Sequence, residues 1–114
     1  MSEAGQSWRR AFKALPQEAA HVRSWTALRT HHADAPLVAH ELFVAILGTR
    51  PAVIEMAIAT ADSRVRISAA GPARLSVRHS HGPGWAIVAG LCRHRGVTPD
   101  ERGLWAQLQQ QDET

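Results

Sequence analysis

The sequence contains a single cysteine, Cys92, and a single lysine, Lys13. One thiol cannot form an internal disulfide, and so little cysteine is typical of a reducing compartment. No apolar run approaches the roughly 18 residues needed to cross a bilayer. Residues 1–10 also lack the apolar core of a secretory signal. We therefore expect a cytoplasmic protein that has no membrane partner.

The length and composition predict one globular domain. The chain has 114 residues, of which 45% are hydrophobic and 20% charged. Such a chain is too apolar to be disordered, and folding can bury about two-thirds of its unfolded surface. We therefore assign residues 1–114 to a single domain, with flexible ends at residues 1–7 and 110–114.

The charge of the chain is basic but dispersed along the sequence. The net charge is +3, and nearly every cation is an arginine. Nucleic-acid binding requires a clustered basic footprint, whereas these arginines alternate with acids and form no run of five or more. We interpret them as solvated surface and expect no nucleic-acid partner.

The first half of the chain predicts one strand followed by two helices. Apolar residues alternate over residues 8–15, which is a strand pattern. Pro16 suits the first turn of a helix, where its missing N–H costs nothing, and helical spacing continues to about Thr30. A second helix is predicted over residues 36–47, capped by Asp34 and apolar on nearly all sides. That pattern indicates a heavily buried helix.

The second half predicts a sheet and one more helix. Alternation over residues 52–61 and 64–68, joined by a tight turn, predicts a hairpin. The remaining predictions are a short strand fragment at Leu75 and Val77, a loop over residues 79–84, a helix over residues 85–94 closed by Gly96, and a last strand over residues 102–109. The fold class is therefore α+β, a two-layer sandwich with helices on one face of a mainly antiparallel sheet.

Four segments in this order resemble motifs of the GHKL (histidine-kinase-like) ATPase superfamily, in the branch of bacterial anti-sigma factors and serine-protein kinases. Residues 39–46 (AHELFVAI) are similar to the E-L-x-x-N-A helix, and residues 64–71 (RVRISAAG) to the strand and turn that carry the adenine-binding aspartate. Residues 82–91 (GPGWAIVAGL) are similar to the glycine-rich turn and helix, and residues 104–108 (LWAQL) to the closing strand. The resemblance implies a Bergerat-type ATPase fold with a shortened lid.

The same resemblance implies a vestigial nucleotide site at Glu41, Gly71, Gly82 and Gly84. In the family the motif acid activates the attacking group, and an asparagine four residues later supplies an oxygen to Mg²⁺. Here the asparagine position is Ala45. The adenine-binding aspartate should fall at Ala69, or at the latest Ala70, and both are alanines. Without these ligands we expect no cofactor, no bound metal and no catalysis, and Glu41 remains as the sole candidate base.

The resemblance therefore implies a regulatory protein-binding domain on an inactive ATPase scaffold, a pseudo-ATPase rather than an enzyme. Relatives in this branch hold sigma factors or their antagonists, so a protein of either kind is the expected partner, and a homodimer is left open. The alternative is a residual nucleotide-binding protein or weak serine-protein kinase that uses the Gly82–Pro83–Gly84 turn.

Several other residue types suggest chemistry, but each also has a structural interpretation. His79 and His81, together with His31, His32 and His94, suggest a metal site, yet no cysteine pair or H-E-x-x-H spacing accompanies them, so we favour surface histidines.

Cys92, Trp25 and Trp105 are predicted to lie in the core. Trp85 stands where the family has leucine. We predict that Trp85 and the Gly82–Gly84 turn close over the old nucleotide cavity, and an exposed partner anchor is the alternative.

Overall fold

The order of elements follows the sequence pattern closely and adds one strand. The computed structural model describes residues 5–76 and 83–109. Its elements are β1 (Gln6–Lys13), a 3-10 turn (Pro16–Glu18), α1 (Ala19–Ala27), α2 (Ala35–Leu47), β2 (Val53–Ala61), β3 (Arg64–Ala70), α3 (Pro83–Leu91), β4 (His94–Val97) and β5 (Gly103–Gln109). The α+β class is confirmed. None of the helices in this described part is long and apolar enough to cross a membrane.

The strands form a five-stranded sheet in the order β1-β2-β3-β5-β4, and every neighbouring pair is antiparallel. The predicted hairpin is the β2–β3 pair, in which Ala61 lies opposite Arg64. Asp62 in its turn has a φ of 55°, a conformation that aspartate tolerates better than most residues. The central hairpin was therefore predictable from local sequence.

The core lies between one face of the sheet and the helices. Alternate residues of each central strand are buried, as in the sequence pattern, and α2 supplies the largest helical share. Phe12 packs edge-to-face on Trp25, with ring centroids 5.7 Å apart, and on Phe43 at 6.4 Å. These aromatic contacts join β1 to both α1 and α2.

The C-terminal part of the third helix was predicted wrongly. The helix begins at Pro83 and ends at Leu91, and the residues from His94 to Val97 form β4 against β5. Gly96 is therefore a strand residue and not a helix cap. The guanidinium of Arg95 donates a hydrogen bond to the Cys92 carbonyl oxygen at 3.1 Å, so a side chain satisfies the carbonyl just after the helix.

Other local predictions also need correction. Asp34 precedes α2 but makes no side-chain cap bond. Leu75 is irregular and not a strand residue, although its N–H donates to the Glu101 carbonyl at 2.7 Å. The first helix ends at Ala27 and begins with a 3-10 turn. Val77 and the loop prediction over residues 79–82 lie outside the described residues, and Gly84 belongs to α3.

Cys92 occupies the core as predicted, with 1% of its surface exposed. Burial is the main cause that raises the pKa of its thiol from 9.0 to about 11. Because the thiolate is the nucleophile, the native thiol should hold about a hundredfold less thiolate than an exposed cysteine at neutral pH.

We therefore expect Cys92 to react slowly with a disulfide reagent in the native protein and rapidly once denaturant is added. Absorbance of the released thiol at mildly alkaline pH measures both rates. Equal rates in the two states would show that the thiol is accessible in the native fold.

Candidate functional site

Two of the predicted site residues meet at the start of α3. Glu41 projects from α2 toward this helix, and a methyl group added at Gly84 would overlap its carboxylate oxygen Oε1. The side chain of Glu41 is 14% exposed, and His40 Nε2 lies 4.0 Å from its other oxygen. The structure therefore places a largely buried carboxylate against the first turn of α3.

This contact gives both residues a structural role. A carboxylate near a helix N-terminus is stabilised by the partial positive charge of the unpaired N–H groups there. A Cβ atom at position 84 would force the end of the Glu41 side chain to move away from the helix. The Glu41 carboxylate is therefore a negative charge at the start of α3, where a phosphate group would have to approach the helix.

Gly71 lies in a different environment. A Cβ atom at this position would meet Cγ2 of Ile46 at 3.3 Å and Cβ of Pro51 at 3.6 Å. Its N–H donates to the Arg102 carbonyl oxygen at 3.0 Å, which ties the end of β3 to the start of β5. Gly71 therefore serves the packing of the chain just after the strand.

The two alanines at which the resemblance expects nucleotide ligands are apolar packing positions. Ala69 is fully buried and lies opposite Met56 on one side and Leu104 on the other. A carboxylate at that place would be buried among apolar groups, which is costly without a partner. Ala45 is half-buried and packs against the same core.

Trp85 follows Gly84 in the first turn of α3. It is partly buried and packs against the hydrophobic core. The prediction that the turn closes with it falls partly outside the described residues, because Gly82 is not among them.

The histidines that can be described serve separate purposes. Within residues 5–76 and 83–109 no three histidine, cysteine, aspartate or glutamate side chains are grouped so that they could hold a metal ion. His32 Nδ1 accepts a hydrogen bond from the Asp34 N–H at 3.1 Å, and its Nε2–H donates to the Gln109 carbonyl at 2.9 Å. These two bonds link the start of α2 to the end of β5. His79 and His81 lie outside the described residues.

Sequence reasoning missed a polar cleft beside that histidine. A cavity of about 400 Å³ lies between the loop before α2, the end of α3 and the ends of β4 and β5, and its walls include Asp34, Arg93 and His94. These residues come from distant parts of the chain, so no local spacing could have indicated the cleft.

No family model matches the sequence, and no curated protein matches it either.

Proposed function

We propose that this chain is a regulatory protein-binding domain on an ATPase-like scaffold of the Bergerat type that does not use ATP. The proposal is supported by the order of its elements and by the four motif-like segments, which fall on α2, on β3, at the start of α3 and on β5. The partner that fits this scaffold is a sigma factor or an antagonist of one. Since fold alone does not define function, the site has to carry the argument.

The observation that carries the proposal is the contact between Glu41 and Gly84. A phosphate bound at the start of α3 would lie against the Glu41 carboxylate, and two anions at that distance repel each other in a poorly solvated site. The positive end of the helix is already compensated by the protein's own carboxylate. This contact therefore counts against the alternative nucleotide-binding or weak-kinase function, which would need a phosphate at the start of α3.

The alanines at positions 45 and 69 support the same conclusion. An alanine offers no oxygen to Mg²⁺, and the buried methyl group of Ala69 accepts no hydrogen bond from an adenine amino group. Phosphoryl transfer depends on metal and positioned donors to neutralise the developing charge. Because these groups are missing, we assign the function to the surface of the domain, through which it binds a partner.

Titration calorimetry with ATP and Mg²⁺ tests the loss of nucleotide use. We expect no binding by the natural protein, because the lost acceptor alone costs about 1–3 kcal/mol and the lost metal ligand costs more. The matched variant is Glu41→Gln, which keeps the size of the side chain and removes its charge. If the carboxylate repels phosphate, Glu41→Gln should bind ATP measurably better than the natural protein.

A dissociation constant in the low micromolar range for the natural protein would contradict the proposal. So would transfer of radiolabelled phosphate to a serine-containing protein that Glu41→Gln abolishes, since that result would make Glu41 a working base.

Affinity capture from the native cytoplasm, followed by mass spectrometry, tests the partner. We expect a sigma factor or an antagonist to be retained without added nucleotide. Retention that requires ATP and Mg²⁺ would instead favour the nucleotide-dependent alternative. Size-exclusion chromatography with light scattering on the same sample decides whether the domain is a homodimer.

A further inference from the structure

One face of the sheet has none of the described helices on it. Along each strand, alternate side chains point into the core. The side chains between them point to the opposite side of the sheet and form the surface that we call the outer sheet face. On β2 and β3 these include Ala57, Ala59, Arg66 and Ser68, which are exposed or half-buried, whereas the residues between them are buried. α1, α2 and α3 pack with the buried residues on the opposite side.

The positive charge of the protein is concentrated on the outer sheet face. Among the described strand residues, alternation and pairing place four cations there, Arg9, Lys13, Arg64 and Arg66, against a single carboxylate, Glu55. The resulting charge of +3 equals the net charge of the whole chain, so the other residues together are neutral. The cations look scattered in the sequence because the two strands that carry them are far apart along the chain.

A tryptophan and an arginine form a stack on this face. The Arg66 guanidinium lies over the Trp105 ring, 4.1 Å from its centroid. A Cβ atom at Gly96 would meet the indole at 3.2 Å, so the ring lies close over the backbone of β4. Trp105 therefore belongs to the outer sheet face and not to the core, which corrects the sequence-based prediction. Tryptophan and arginine are the residues that most often dominate protein–protein binding energy.

A shallow pocket lies next to the stack. Its volume is about 200 Å³, and its walls include Arg9, Arg66, Ser7 and Ser68 around small alanine side chains. Arg9 is paired with Glu55 at 3.0 Å, but the two side chains are 72% and 51% exposed. Such a pair contributes little stability, so another carboxylate can replace Glu55 at low cost.

We propose that the outer sheet face binds an acidic segment of a partner protein, with one of its carboxylates held in the pocket between Arg9 and Arg66. The inference rests on the proposed function, since it names the surface through which the partner is bound. Charge complementarity favours an acidic partner. A protein fits better than a nucleic acid, because sheets that bind single strands stack bases on two or three open aromatic rings. The Trp105 ring is instead covered by Arg66 and the β4 backbone.

Fluorescence anisotropy with a labelled peptide of alternating glutamate and alanine residues tests this docking surface. We expect saturable binding that weakens with added salt, and Arg66→Glu should weaken it by about tenfold or more because it places like charges together. Arg23→Glu is the matched control, because Arg23 is exposed on α1, on the opposite side of the sheet. It makes the same change in net charge away from the outer sheet face, and it should weaken binding by no more than about threefold through long-range effects.

A second readout locates the peptide on the protein. The chain has four tryptophans, so its NMR spectrum should contain four indole N–H signals, assigned by Trp→Phe variants. We expect the Trp105 signal to shift when the peptide is added, and the signal of the buried Trp25 to stay in place. Arg9→Gln, which should fold like the natural protein because Arg9 is exposed, should reduce the Trp105 shift at a fixed peptide concentration.

The inference would be overturned by no binding of the glutamate peptide, by equal losses in Arg66→Glu and Arg23→Glu, or by an unmoved Trp105 signal. Tighter binding of single-stranded oligothymidine than of the peptide, lost in Arg66→Glu, would also overturn it and assign the face to nucleic acid. None of these measurements contains ATP. If the acidic peptide does not bind, the calorimetric test of the inactive ATP site is therefore unaffected. If ATP does bind, the peptide experiments are likewise unaffected.

Discussion

Replacement of Phe43 by alanine is expected to lower the free energy of unfolding by about 4 kcal/mol. Phe43 is fully buried and is among the largest side chains in the core. Its ring lies edge-to-face against Phe12 at a centroid distance of 6.4 Å, so the truncation removes an aromatic pair as well as apolar burial. Chemical denaturation followed by circular dichroism measures the change.

Val44→Ala is the matched control for that experiment. Val44 is the next residue of α2 but is 41% exposed, so its truncation should change stability by no more than about 0.5 kcal/mol. If Phe43→Ala cost only about 1 kcal/mol, the core would have to collapse around the missing ring. The description of α2 as closely packed on the sheet would then be wrong.

Gly103→Ala should destabilise the protein by about 2–3 kcal/mol. A Cβ atom at Gly103 would lie 2.5 Å from the carbonyl oxygen of Ala69 and 2.9 Å from Cβ of Ala70. The first of these is a backbone atom of the neighbouring strand, so β3 and β5 would have to separate at this point. The loss of hydrogen bonds next to Gly103 can be measured by amide hydrogen exchange, and the stability by thermal unfolding.

Gly90→Ala should change stability in the opposite direction. Gly90 lies within α3, and a Cβ atom there would meet nothing within 4 Å. Alanine is favoured over glycine inside a helix by about 1 kcal/mol, so this variant should raise the melting temperature. If both glycine variants behaved alike, the contrast between the crowded strand and the open helix surface would be wrong.

The elements that could be predicted from the sequence are those whose pattern is local. The apolar character of α2 and the alternation of β2 and β3 gave bounds within a few residues of those observed. The strand β4 has no such pattern. Apart from Gly96, its one apolar residue is Val97, which is 41% exposed. The strand is extended because it pairs with β5, and pairing partners cannot be seen in a short window.

The candidate site was likewise only partly predictable from the sequence. The resemblance brought Glu41 and Gly84 into one hypothesis, and the structure places them in contact. The resemblance could not indicate that the Glu41 carboxylate itself would lie against the start of α3. Trp105 was assigned to the core although its place in the strand alternation points outward, and here the alternation was the better guide.

The edge strand β1 has a consequence for how the protein avoids self-association. β1 is at the end of the sheet, and no strand of residues 5–76 or 83–109 pairs with its outer backbone groups, which is the arrangement that favours pairing with a second chain. Its eight residues include Arg9, Arg10 and Lys13 and no acid. If two copies joined along this edge, cations would lie next to cations across the new strand pair. Growth of an extended sheet from this edge is therefore opposed by charge at low salt, and concentrated salt would weaken that protection.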